Sequence, residues 1–505
     1  MTEARAVPPA PRVGPAIASA PSAAKAADGE DAVVEIISLY AAQKKIYPRA
    51  VSGLFASWRW ALVWFTQVLF YGLPWLLWND RQAVLFELAS RRFYIFGLVL
   101  YPQDFIYLTG LLLISAYALF LFTAVAGRLW CGYACPQTVY TEIFLWIERQ
   151  FEGDRQARMK LDASPWGFNK LWRKGGKQAV WITVALWTGF TFVGYFTPIK
   201  SLWAEAFTLS FGPWEWFWVL FYAFATYGFA GFMREQVCKY MCPYARFQSA
   251  MFDKDTLIIS YDAERGEPRG SRSKKASVDD VKAAGLGSCI DCTLCVQVCP
   301  TGIDIRQGLQ YECIGCAACI DVCDGVMDKM NYPRGLIRYD TQNGLQQHLS
   351  PAQKLRRMFR PRVIIYTVVL FVLCTALLAS LLFLRSPVKL DVVRDRGVLA
   401  RVVEDGYVEN LYRLQVMNAT EQNHRYQVTV SGMDGIKLEQ AAELSVAPAE
   451  ARWLTLSVRV PPETAARAAQ DHKGSHAIEF QLRSLDGASS GATVVHEKST
   501  FIVPR

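Results

Sequence analysis

Long apolar runs dominate the first half of this chain, and short alternating ones fill its last quarter. Five stretches, at about 58–78, 105–126, 179–197, 214–232 and 363–384, approach or exceed the ~20 residues that cross a bilayer as a helix. The shorter run 93–101 is interfacial. Beyond Leu384 the pattern changes to strict alternation, as in 426–430, 453–458 and 478–482, which is the period of half-buried strands and predicts a β-sandwich. The expected architecture is a multidomain membrane protein. A disordered cytoplasmic tail (1–45) leads into an α-helical transmembrane bundle (46–250) with four of the five spans. A ferredoxin-like α+β insert (251–345), a basic linker with the fifth span (346–385) and an all-β immunoglobulin-like sandwich (386–505) follow.

Charge orients the bundle. The segments 149–177 and 354–362 are rich in Lys and Arg, whereas the loop 198–213 carries only Lys200. The first two therefore belong on the cytoplasmic side. An odd number of spans then leaves the insert and the N-terminus in the cytoplasm and the sandwich in the periplasm of a bacterial inner membrane. From Arg385 onward basic and acidic residues balance and no cysteine occurs, as suits a domain on the oxidising side.

Composition narrows the class. With 505 residues, 52% hydrophobic positions and 16 tryptophans, the chain is more apolar than a soluble domain requires. The net charge of +9 does not indicate nucleic-acid binding, because no basic stretch is interleaved with aromatics. The first thirty or so residues, with Pro8, Pro9, Pro11, Pro15 and Pro21, lack the apolar core of a signal peptide.

Eight of the thirteen cysteines repeat one pattern: Cys289, Cys292, Cys295 and Cys299 with Pro300, then Cys313, Cys316, Cys319 and Cys323. This is the ligand set of a two-cluster bacterial ferredoxin, in which each fourth cysteine crosses to the other cluster. The expected 4Fe-4S sets are Cys289, Cys292, Cys295 with Cys323, and Cys313, Cys316, Cys319 with Cys299. Zinc, the competing occupant, favours two separated C-x2-C pairs instead. Asp324 stands where the second run would ordinarily end in proline.

Four more cysteines form a duplicated C-x3-C-P motif: Cys131 and Cys135 before Pro136, and Cys238 and Cys242 before Pro243. Each motif follows a predicted helical hairpin, so the bundle reads as an internal repeat. A spacing of four puts both thiols of a pair on one face of a helix. The prolines open new helices, whose positive ends favour thiolate at Cys135 and Cys242. Thiolates are soft ligands suited to Cu(I) and are also redox-active. Met233 and Met241 lie nearby, with core filling as their role. Cys374 has no partner at motif spacing and reads as a packing residue.

Several chemistries are excluded. His348, His424, His472, His476 and His496 all lie outside the predicted spans, so no histidine pair can hold a haem within the membrane. Gly474 between His472 and His476 argues against a helical metal pair. There is no G-x-G-x-x-G after a strand. Electrons must then come from a cytoplasmic protein or a quinol.

The residues 46–49 (Ile-Tyr-Pro-Arg), 92–97, 131–137, 242–248, 261–262 and 265–270, together with both cysteine runs, resemble the cytochrome c oxidase accessory proteins of the CcoG type, also called FixG or RdxA. The resemblance covers nearly everything after the first forty residues. It implies a multi-pass inner-membrane iron–sulfur protein needed to assemble the cbb-type oxidase, reducing Cu(II) to Cu(I), with an immunoglobulin-like C-terminal domain. On that reading copper is the substrate at Cys131, Cys135, Cys238 and Cys242, and the partners are copper-handling assembly proteins. Two rivals follow: a quinol-oxidising membrane ferredoxin of the NapH or NosR type, and a non-enzymatic assembly scaffold.

Overall fold

The computed structural model describes residues 45–505 except 273–284, 396, 398–399, 441, 471–473, 486–493 and 505. The expected tail, apart from its last residue, and His472 lie outside the described residues.

Among the described residues three helices are long and apolar enough to cross a membrane: Pro102–Ala126, Pro213–Met233 and Pro361–Leu384. They correspond to the predicted spans 105–126, 214–232 and 363–384. The other two expected spans are helical with different limits. The first is helix Leu54–Gly72, and the predicted end at 78 is corrected: Pro74 fixes a tight turn, and Leu77–Trp78 pairs as a strand with Arg81–Gln82. The third is Phe168–Val193, which starts eleven residues before 179: in its added turns Lys177 pairs with Glu148 and Glu152, and Lys170 donates to the carbonyls of Asp162 and Ser164. The run 93–101, expected to be interfacial, lies largely in a three-stranded antiparallel sheet, Val84–Glu87, Arg92–Ile95 and Leu98–Leu100. The loop 198–213 contains an additional helix, Ile199–Thr208.

Helices Pro102–Ala126 and Pro361–Leu384 pack together, as do Phe168–Val193 and Pro213–Thr226. The second pair crosses at Gly189, where a methyl group would lie 2.2 Å from the Val219 carbonyl oxygen; only glycine permits this backbone approach.

The sandwich sits at one end of the apolar helices. One sheet orders Lys437–Leu438, Ala451–Val460, Val408–Asn418 and Val388–Arg394, with Arg401–Val402 on its margin. The other orders Ala442–Val446, His424–Ser431, Ser475–Ser484 and Val494–Ile502. The predicted stretches 426–430, 453–458 and 478–482 all fall inside these strands. Their inward residues meet in a core around Tyr412, Leu414, Tyr426, Phe480 and Phe501. The three-stranded sheet and the residue after it contribute Leu85, Tyr94, Val99 and Tyr101 to a second core with Met417 and Ala449. An ion pair between Lys389 and Asp104 fastens the sandwich to the start of helix Pro102–Ala126.

The cysteine-rich insert lies at the opposite end. Strands Ile258–Tyr261 and Ile337–Asp340 pair antiparallel and bring its two ends together, and helix Ala318–Met330 packs on them. Asp340 takes hydrogen bonds from Arg338 and Lys354, which ties the basic linker to the insert.

Candidate electron-transfer site

The two cysteine runs fold as matching loops. In each, the residues two and four positions after the first cysteine have positive φ: Asp291 (51°) and Thr293 (54°) in one, Gly315 (72°) and Ala317 (57°) in the other. Such left-handed positions turn successive backbone N–H groups toward one concavity, a polarity suited to an anionic centre. One small cavity is lined by Cys289, Cys292, Cys295 and Cys323. A second is lined by Cys299, Cys313, Cys316 and Cys319, with Cys295 also on its wall. These are the two predicted ligand sets, crossed fourth cysteines included, so the residues fit two cubanes. Burial pushes Cys295 up to about 11 and Cys313 and Cys323 to about 12. Thiols held neutral this way become thiolates only when a metal cation supplies the compensating charge.

The Asp324 departure has a local explanation. Without a proline after Cys323 the helix runs on to Met330, and the Asp324 carboxylate accepts the Gly335 N–H at 2.9 Å. After Cys299, Pro300 leads the chain away from the short helix Leu294–Gln297.

The four paired thiols converge beside this insert. Cys131 feels the charges of Cys135, Cys238 and Cys242, and Cys238 those of Cys135 and Cys242. The single-helix expectation is corrected. Cys131 belongs to helix Leu129–Tyr133, the chain breaks at Ala134, and Cys135 is the N-cap of Pro136–Glu152. In the second repeat Arg234 lies four residues before Cys238, where Arg128 lies three before Cys131. The extra residue is accommodated by a π-helical turn, Val237–Met241, with Cys242 capping Pro243–Met251. Such turns recur at functional sites.

The expected thiolate preference at Cys135 is also corrected. Burial raises its pKa, and the backbone N–H groups of Gln137 and Thr138 only partly oppose that. Burial likewise pushes Cys131 up to about 12 and Cys238 to about 11. The Cys131 thiol lies 3.2 Å from Gln248 Oε1. Gln248 in turn donates to Thr123, which shares a hydrogen bond with Tyr244.

The inner cysteine loop touches the paired thiols directly. A methyl group on Gly132 would lie 2.8 Å from both Cα and N of Cys316, and one on Gly315 would lie 3.1 Å from the Arg128 carbonyl oxygen. Cys131 and Cys238 pack against Val298, Ile314, Cys316 and Ala318. Asp321 of the insert accepts N–H groups from Phe55 and Ala56 at 3.1 and 2.7 Å, capping helix Leu54–Gly72 from outside. The segment 46–51 straps the two parts: Arg49 N–H donates to the Gln297 carbonyl and Ala50 N–H to Asp154. A cleft of about 110 Å³ behind this strap reaches Cys238 and Cys316 and carries Arg59, Trp60, Glu142 and Glu235 on its walls.

Arg59, Arg128, Gly132 and Gln248 also belong to the site, although the cysteine spacing does not mark them. Glycine between the cysteines of the first pair, and arginine three or four residues before each pair, were the available signals. Met233 and Met241 sit beside the second pair in sequence, and Cys374 is exposed on helix Pro361–Ala379.

Three family models match: a 4Fe-4S dicluster domain over residues 233–342, a 4Fe-4S binding domain over 108–152, and an IG-like fold at the C-terminal of FixG over 378–504. The nitrogen fixation protein FixG of Rhizobium meliloti is 40% identical over 453 residues, covering 83% of this chain and 85% of that one. Protein RdxA of Cereibacter sphaeroides is 41% identical over 420 residues, covering 81% and 87%. A FixG-related protein from Vibrio parahaemolyticus, known as a crystal structure, is 27% identical with a TM-score of 0.20, over 23% of this chain and 97% of that one.

Proposed function

This chain belongs to the FixG/RdxA family of membrane iron–sulfur proteins, and from that premise we propose that it is a cupric reductase serving the assembly of a cbb-type cytochrome c oxidase. The observation that carries the reading is the direct packing of Cys131 and Cys238 on the loop of Cys316, which puts a soft-ligand site against an iron–sulfur site. When bound, 4Fe-4S centres supply electrons one at a time. The substrate step, Cu(II) plus one electron giving Cu(I), needs one electron and no proton. It therefore suits that supply, and the buried thiols release their protons as they bind the metal.

Glu142 and Glu235 line the cleft that leads to Cys238 and offer oxygen ligands to the harder Cu(II). The cysteines beyond them prefer the softer product, so ligand chemistry changes along the path in the direction of reduction. On this reading helices Leu54–Gly72 and Phe168–Val193 complete a set of five spans, with this site and the insert on the cytoplasmic side and the sandwich in the periplasm. The basic segments at 149–177 and 354–362 support that orientation. The electron donor is a cytoplasmic protein or a quinol, and copper-handling assembly proteins are the partners.

The test starts from full-length protein purified without oxygen, reduced and freed of excess reductant. Cu(II) is added with a Cu(I)-specific chelator while cluster reoxidation is followed optically. Stoichiometric Cu(I) that is lost in Cys135→Ser and Cys242→Ser variants with intact clusters is the expected result. Clusters that stay reduced in the presence of copper would sink the proposal.

A further inference from the structure

The two cysteine sites differ in the charge built around them. At the inner site, Cys299, Cys313, Cys316 and Cys319 face two arginines from the membrane part. Arg59 is 6% exposed and donates from Nη1 to the Cys316 carbonyl at 2.7 Å. Arg128 is 5% exposed and donates to the carbonyls of Tyr311 and Ala245. Both therefore spend their hydrogen bonds on neutral backbone oxygens, and Nε of each has no partner. Among the described residues neither forms an ion pair. Arg128 acts electrostatically on Cys131, Cys313, Cys238 and Cys242, and Arg59 on Cys316, with Glu142 and Asp321 also within reach of Arg59. Asp321 already accepts two N–H groups from the start of helix Leu54–Gly72.

The outer site is the reverse. The arginine on its cavity wall, Arg306, is held by Asp304 at 2.7 Å and also by Asp291, so its charge is cancelled. Asp324 follows Cys323 directly, and Tyr261 beside Cys289 donates to Glu267 at 3.1 Å. Cys292 is exposed to water, whereas Cys316 is buried.

We infer that Arg59 and Arg128 make the site of Cys299, Cys313, Cys316 and Cys319 the higher-potential of the two, so that a single electron added to the oxidised protein resides next to the paired thiols. Reduction adds negative charge to a centre whose four thiolates already make it anionic. Nearby positive charge stabilises that addition, and the more so where water cannot screen it. Burial by itself acts the other way, by disfavouring the more highly charged state. The order of the two sites is thus set by two buried guanidiniums without an ion-pair partner against that penalty, and Arg59 and Arg128 are its positioning charges. The inference rests on iron–sulfur binding alone and not on copper chemistry.

The experiment is a potentiometric titration of the full-length protein in detergent, without copper, followed by electron paramagnetic resonance. A water-soluble dysprosium chelate identifies the outer signal, because the exposed Cys292 side relaxes faster in its presence. The expected result is that the wave of higher potential is the chelate-insensitive one. Arg59→Gln and Arg128→Gln should each move that wave to lower potential and leave the other in place, while Arg59→Lys and Arg128→Lys should leave both near their original values. Iron content per chain shows that the centres survive. Should the glutamine variants lose iron, the order of the two wild-type waves decides by itself. A chelate-sensitive wave at higher potential overturns the inference, as do glutamine variants that shift neither wave or both equally. Because copper is absent, none of these outcomes depends on whether the protein reduces it.

Discussion

Gly132→Ala is the most direct probe of the contact between the paired thiols and the inner cysteine loop. An added methyl would stand 2.8 Å from Cα and N of Cys316 and from C of Gly315. All three are backbone atoms of a loop pinned by hydrogen bonds from Arg59 to Cys316 and from Tyr339 to Gly315. No side chain can swing aside, so the two surfaces must separate by about 0.6 Å or more to reach ordinary contact, and overpacking of this kind costs about 1–3 kcal/mol. Displacing groups that must meet for reaction by such a distance lowers rates by roughly tenfold to a hundredfold. Thermal unfolding in detergent and Cu(I) formation from pre-reduced protein measure the two effects. Gly72→Ala is the control, since a methyl there meets nothing within 4 Å. A Gly132→Ala protein that matched wild type in both assays would refute the claim that this contact couples the two sites.

Two other outcomes follow from polar contacts that join the insert to the bundle. Removing the carboxylate in Asp321→Ala takes away the acceptor for the first N–H groups of helix Leu54–Gly72. It should cost about 0.5–2 kcal/mol, as loss of an N-cap does, with susceptibility to protease rising first around residues 46–60; equal unfolding midpoints would exclude the cap. Asp340 supplies a pH dependence. Burial opposes its ionisation, but hydrogen bonds from Lys354 and Arg338 prevail and hold its pKa below the usual value. A carboxylate with a depressed folded pKa stabilises fully above its unfolded value, about 3.9, and the contribution is lost as pH falls through the folded value. The stability difference between wild type and Asp340→Asn should therefore shrink below about pH 4, and a difference constant with pH would count against this account.

What the sequence determined by itself is whatever a local period or a fixed spacing encodes. Alternation at 426–430 and 478–482 specifies strands because one face of each must be apolar. Runs such as 363–384 specify helices too apolar for water. The equal spacings of Cys289 to Cys299 and Cys313 to Cys323 match the two-cluster ferredoxin pattern, and each expected set lines one cavity. The tertiary structure alone decided how the parts meet. The break after Cys131 could not be read from a four-residue spacing, although Pro136 favours the extended conformation that Cys135 adopts. Nothing local distinguishes Arg59 from a misplaced charge in an apolar run. It becomes intelligible only once Cys316, 257 positions away in sequence, offers its carbonyl. Buried charges and close glycine contacts are set by partners distant along the chain, and a spacing rule carries no information about them.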